Sequence, residues 1–179
     1  MTETASLREM TRRQLLASGV KAGAALVVGG GFVAHATDAW AVETKALTPA
    51  TMATLIQMAR DIYPHDRIAD RHYALTVKAH DEKAVGDEAF RAMIEDGVAG
   101  LDTMARGQGH ASYLGTGWEI DRVAMLRAIE KSPFFQTIRG GMVVGLYNQK
   151  EVWPVFGYEG ESYSKGGYLE HGFDDISWI

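Results

Sequence analysis

The 179-residue chain contains no cysteine. That absence excludes a disulfide framework, thiolate-ligated zinc, an iron–sulfur cluster, covalent c-type haem attachment and a thiol nucleophile. Positive charge is also in short supply: 18 Lys and Arg stand against 23 Asp and Glu, a formal net charge of −5. A chain of that sign exerts no general attraction on nucleic acid or anionic lipid, and no nucleic-acid partner is expected. Long apolar runs are missing too. The longest covers about a dozen residues, where a spanning helix needs roughly 20. The remaining balance, 46% hydrophobic and 23% charged, is that of an ordinary globular protein.

What is present begins at the N-terminus. Met10-Thr11-Arg12-Arg13-Gln14-Leu15-Leu16 sets paired arginines before two leucines. A glycine-softened apolar stretch follows, from Ala22 through Val33, with Lys21 at its edge. It closes on Ala39-Trp40-Ala41, a small-x-small site that a signal peptidase can cut before Val42. Together these features predict a twin-arginine export signal over residues 1–41 and a periplasmic destination. Arg12, Arg13, Leu15 and Leu16 are its recognition residues for the translocase, and Ala39 and Ala41 its cleavage residues. An uncleaved leader acting as a membrane tether is the alternative. Residues 1–41 hold four of the basic and three of the acidic side chains, so residues 42–179 keep 14 and 20, a net of −6. Those 138 residues suit one domain with a modest core.

Helical spacing dominates that domain. Thr48-Pro49 supplies an N-cap and a first-turn proline, and Met52, Leu55, Ile56, Ala59 and Ile62 recur until Pro64. A second helix is expected over 71–83, with Tyr73, Val77 and Leu75 inward. Asp87 opens a third, with Phe90, Met93, Ile94, Val98, Leu101 and Met104 on one face before Gly107-Gln108-Gly109. The pattern continues over 119–131, where Ile120, Val123, Leu126 and Ile129 make the stripe. Ser132-Pro133 caps a last helix to about Tyr147, burying Phe134, Phe135, Ile138, Met142 and Leu146. One further short turn is expected through Trp153. No alternating strand of useful length occurs in this part, which reads as all-α, a small irregular helical bundle over residues 42–156.

Residues 157–179 differ. Five glycines alternate there with Tyr158, Tyr163, Tyr168, Phe173 and Trp178. This extended Gly/aromatic-rich tail is a poor helix former, yet too aromatic for a plain disordered segment. Its rings fold back over the bundle or lie in a groove of another subunit.

Catalytic signatures are sparse. The histidines form no pair at helical ligand spacing, and no H-E-x-x-H occurs. His65, Asp66, Asp70 and His72 make the densest polar knot, whose alternatives are a metal or ligand site and a charge-paired loop. The glycine pairs follow no strand, and no serine sits in a G-x-S-x-G elbow. Gly140-Gly141 inside a helix predicts close approach of a neighbouring backbone. A signal for folded cargo on a body without a cofactor motif implies that the cofactor belongs to another chain.

Several segments carry a resemblance. Ile62-Tyr63-Pro64-His65-Asp66, Gly145-Leu146-Tyr147-Asn148, Val152-Trp153 and Phe156-Gly157-Tyr158-Glu159-Gly160 resemble the small subunit (subunit 3) family of gluconate 2-dehydrogenase. Gly166-Gly167-Tyr168 and the run from Gly172 to Trp178 continue the likeness. The resemblance implies a non-catalytic accessory subunit. It would escort and stabilise a large FAD-containing dehydrogenase of the glucose–methanol–choline class, often with a c-type cytochrome subunit. No catalytic residue and no cofactor is implied for this chain, and FAD is expected in the partner. The partner-binding residues expected on aromatic grounds are Trp153, Phe156, Tyr158, Tyr163, Tyr168, Phe173 and Trp178.

Overall fold

The computed structural model describes residues 26–29, 32–35 and 40–169. Three short strands come first: β1 (Leu26–Gly29), β2 (Phe32–His35) and β3 (Trp40–Glu43), in one antiparallel sheet of that order. Five helices follow: α1 (Pro49–Ile62), α2 (Asp70–Ala84), α3 (Glu88–Gly107), α4 (Glu119–Ala128) and α5 (Pro133–Tyr147). Two single-turn 3-10 segments, Trp153–Phe156 and Ser162–Lys165, complete the described chain. The bundle is all-α, as the periodicity indicates. Among the described residues no helix is long and apolar enough to cross a membrane.

The helices begin where their caps dictate. Thr48, Asp87 and Ser132 have extended backbone, and each accepts a hydrogen bond from the backbone N–H three residues on. Helix α1 is the central element, touching every other helix and the sheet. Its buried residues run nearly all round, from Thr51 to Ile56 and on to Met58, Ala59 and Asp61, as a surrounded helix requires. The backbones of β1 and β2 lie against α1, and β3 against α2. Two expected core positions are corrected. Leu75 is 55% and Ile120 77% exposed. Helix α2 buries His72, Tyr73, Thr76, Val77 and His80, which leaves Leu75 on the opposite face. Helix α4 buries Met125 and Leu126, and Arg122 turns inward with them.

Arg122 explains that phase. Its Nε and Nη2 donate to the two oxygens of Asp61 at 2.7 and 2.9 Å. Tyr113 Oη donates to the same carboxylate at 2.7 Å and Gln57 Nε2 at 3.0 Å, while Arg122 Nη1 reaches the Thr116 carbonyl at 2.8 Å. Burial, and then the adjacent Asp61 charge, push the Tyr113 phenol far above its usual range. For Arg122 burial works against the cation, but the Asp61 hydrogen bond and charge outweigh it and raise the net value.

The α2–α5 seam is built differently. Three pairs along it set an antiparallel register: His72 against Gln149, Thr76 against Gly145, and His80 against Gly141. A Cβ on Gly145 would lie 2.5 Å from Thr76 Cγ2, and one on Gly141 2.7 Å from His80 Nε2. Glycine is therefore required by space at both positions. The close approach expected at 140–141 is thus made by a side chain at Gly141 alone, since Gly140 faces open space.

Asp81, on the same helix, is fully buried. Its carboxylate accepts the backbone N–H groups of Lys45, Ala46 and Leu47 at 2.8, 2.9 and 2.8 Å. Three charge-assisted bonds at one side chain fix the junction between sheet and bundle.

Candidate partner-binding surface

The surface forms where the chain leaves α5. Gln149 hooks that exit to α2. Its Oε1 accepts from His72 Nδ1 at 2.6 Å, which assigns the Nδ1–H form of that ring, because an amide oxygen only accepts. Its Nε2 donates to the carbonyls of His72 (2.9 Å) and Gly145 (3.0 Å). Val152 is fully buried just beyond, and Trp153 Nε1 donates to the Tyr147 carbonyl at 2.8 Å.

An aromatic group assembles around this exit. His65 stands edge-on to Tyr147 and Phe156, with ring centroids 5.7 and 5.2 Å apart. Tyr63 meets Tyr147 at 5.9 Å, and Tyr147 meets Phe156 at 5.6 Å. His65 Nε2 and Tyr147 Oη are 2.7 Å apart. Burial, aided by the Arg60 charge, lowers the His65 pKa, and burial raises that of Tyr147. The loop holding His65 is pinned by Tyr73, whose hydroxyl donates to the Tyr63 carbonyl at 2.6 Å and accepts from His65 N–H at 3.3 Å.

Beyond Phe156 the tail turns on glycines in the left-handed region. Gly166 and Gly167, at φ 91° and 94°, close the turn over Ser162–Lys165, and Gly167 N–H donates to the Ser162 carbonyl at 2.8 Å. The expected extended tail is therefore locally a folded turn up to Leu169. Ser162 is buried, while Tyr163 beside it is 92% exposed. Tyr168 and Leu169 are 72% and 89% exposed. Glu161 pairs with Lys150 and Glu159 with Lys165, each at 3.2 Å. The Lys150 hydrogen bond is the main cause of the lowered Glu161 pKa.

The expected contact residues thus divide. Trp153 is half-buried and tied to the bundle, with Tyr158 edge-on to it at 5.2 Å, and Phe156 rests on His65 and Tyr147. Tyr163 and Tyr168 project into solvent. Phe173 and Trp178 lie outside the described residues, as do Arg12, Arg13, Leu15, Leu16 and Ala39. Ala41 lies in β3, in register with Ala34 of β2.

His65, Asp66, Asp70 and His72 do not converge. His65 engages Tyr147, Asp70 pairs with Arg60, His72 engages Gln149, and Asp66 is exposed. Among the described residues no group of three or more His, Cys, Asp or Glu is placed to hold a metal ion. Sequence inspection did not single out Tyr147 and Gln149 as organisers of the tail exit. A residue one or two positions past a helix end carries no periodic signal, so the role of Gln149 is not legible in the sequence.

No protein-family model, no curated protein and no solved structure matches the chain.

Proposed function

We propose that this chain is a non-catalytic accessory subunit, exported by the twin-arginine route, that escorts and stabilises a large FAD-containing dehydrogenase acting on sugars or alcohols. The observation that carries the proposal is the tail turn, which presents Tyr163, Tyr168 and Leu169 to solvent and is linked to the exit of the bundle by the Glu161–Lys150 ion pair. Exposed aromatics on an ordered turn suit a protein interface, because large, stiff rings contribute most of the energy of such contacts. The paired arginines and the Ala39-Trp40-Ala41 site support export, and the segments resembling gluconate 2-dehydrogenase small subunits support the identity of the partner.

Purification of a tagged full chain from its native periplasm tests this. The expected result is a large co-eluting polypeptide with flavin absorbance, and a small subunit beginning at Val42. A colourless chain eluting alone would overturn it.

A further inference from the structure

Gly140 is a glycine that packing does not explain. It lies inside α5 with nothing within 4 Å of the place its Cβ would take, and alanine there would favour the helix. Its neighbour Gly141 receives the ring of His80, whose Nε2 would meet a Cβ at 2.7 Å. The two glycines together make a pliable point in α5, set where a buried imidazole presses on it.

His80 is 8% exposed, and its Nε2 has no hydrogen-bond partner among the described residues. The carboxylates near it are engaged elsewhere. From α3 the ring meets Phe90, where Asp87 accepts the Phe90 N–H at 2.9 Å and Glu88 pairs with Arg91 at 2.6 Å. From α5 it meets Gly141, whose nearest charged neighbour in sequence, Arg139, is exposed. On its own helix, Asp81 holds the 45–47 backbone and Glu82 pairs with Lys45 and Lys78, while Lys83 adds a positive charge. An imidazolium in this place is stable only once the seam opens to water.

The two halves of α5 are held differently. Ser132 caps its first turn, and the Phe134 ring lies flush on Gly97 of α3. Beyond Gly141 it meets α2 at Gly145 and Gln149 and carries the exit of the tail. We propose that His80 and the glycine pair form an acid-operated hinge. A proton on Nε2 bends α5 at Gly140 and Gly141 and lifts residues 142–149, with the tail exit, from α2, while the first turns stay seated. The hinge goes beyond the accessory reading and does not depend on what the tail binds.

Burial, and then the Lys83 charge, lower the His80 pKa in the closed seam, whereas an imidazole exposed by opening titrates near its usual value of about 6.5. Opening therefore takes up a proton. It is independent of pH well above that value and rises about tenfold per pH unit below it, until the closed-state value is reached.

Hydrogen exchange of the full chain, corrected for the intrinsic pH dependence of the exchange reaction, tests this between pH 8 and pH 5. Amides of residues 142–149 are expected to gain about tenfold across that range, and those of residues 52–59 in α1 to stay level. His80→Leu should abolish the gain and leave exchange at pH 8 near wild type. Gly140→Ala, which meets no neighbour, should slow exchange of 142–149 about fourfold at every pH and keep the pH slope. An equal gain in 52–59 would mean a global loss of stability and overturn the hinge. A gain that survives His80→Leu would place the proton elsewhere, and unchanged exchange in Gly140→Ala would remove the bending point; either overturns the proposal. None of these readouts involves a flavoprotein, so the hinge and the accessory role can fail separately.

Discussion

The α1–α4 contact and the α2–α5 seam hold the same bundle by opposite means. In the first, a buried carboxylate and guanidinium meet face to face, and Tyr113, Gln57 and the Thr116 carbonyl engage the remaining positions. In the second, glycines let a threonine and a histidine press into a neighbouring helix, and His80 Nε2 is left buried without a hydrogen-bond partner. His80 instead stacks on Phe90, with ring centroids 6.1 Å apart, and Lys83 lies over the other partner of that stack. One contact depends on completing a polar network; the other, at Gly141 and Gly145, depends on shape. The first should fail when a partner is removed, and the second when an atom is added.

The largest effect is expected from Asp61→Ala. It strands the Arg122 guanidinium and the Tyr113 hydroxyl in the interior, at a cost of about 3–5 kcal/mol. Urea denaturation measures this, and a loss below about 1 kcal/mol would mean the network is dispensable. Next comes Gly145→Ala, whose added carbon meets Thr76 Cγ2 and should destabilise by about 1–3 kcal/mol. Combining it with Thr76→Ser removes the obstructing methyl and should restore much of that loss, and strict additivity of the two changes would contradict the shape argument.

The smallest effect concerns His80. Burial, and then the Lys83 charge, lower its pKa in the folded state. The unfolded chain therefore takes up a proton first as pH falls. The stability contributed by neutral His80 is complete above the unfolded value of about 6.5 and is lost progressively below it. His80→Leu should be near neutral at pH 8 and, relative to wild type, stabilising at pH 5. His65 shifts in the same direction, so some acid sensitivity should survive in the variant. An unchanged pH profile would place the sensitivity elsewhere.

Much of the helical architecture was legible because it rests on local rules. Thr48-Pro49, Asp87 and Ser132-Pro133 mark three starts by cap chemistry alone. The apolar stripe places Ile120 inward, but the Arg122–Asp61 pair sets the phase of α4 and leaves Ile120 exposed. The strands were hidden by competition between two patterns. Leu26–Gly29 and Phe32–His35 flank Gly30-Gly31, the spacing of a hairpin, within a stretch that also has the composition of an export signal. In the tail, the abundance of aromatics was plain from the sequence. Which rings serve the bundle and which face outward depends on Trp153 finding the Tyr147 carbonyl and on the turn over Ser162–Lys165 closing at Gly167.

The grip of Asp81 on Lys45, Ala46 and Leu47 has a mechanical consequence. Tension that reaches Lys45 from the N-terminal side is shared with a side chain near the end of α2 before it arrives at the first turn of α1. The junction behaves as a cleat: part of the force arriving from that side is carried into the interior before the start of α1 is asked to bear it.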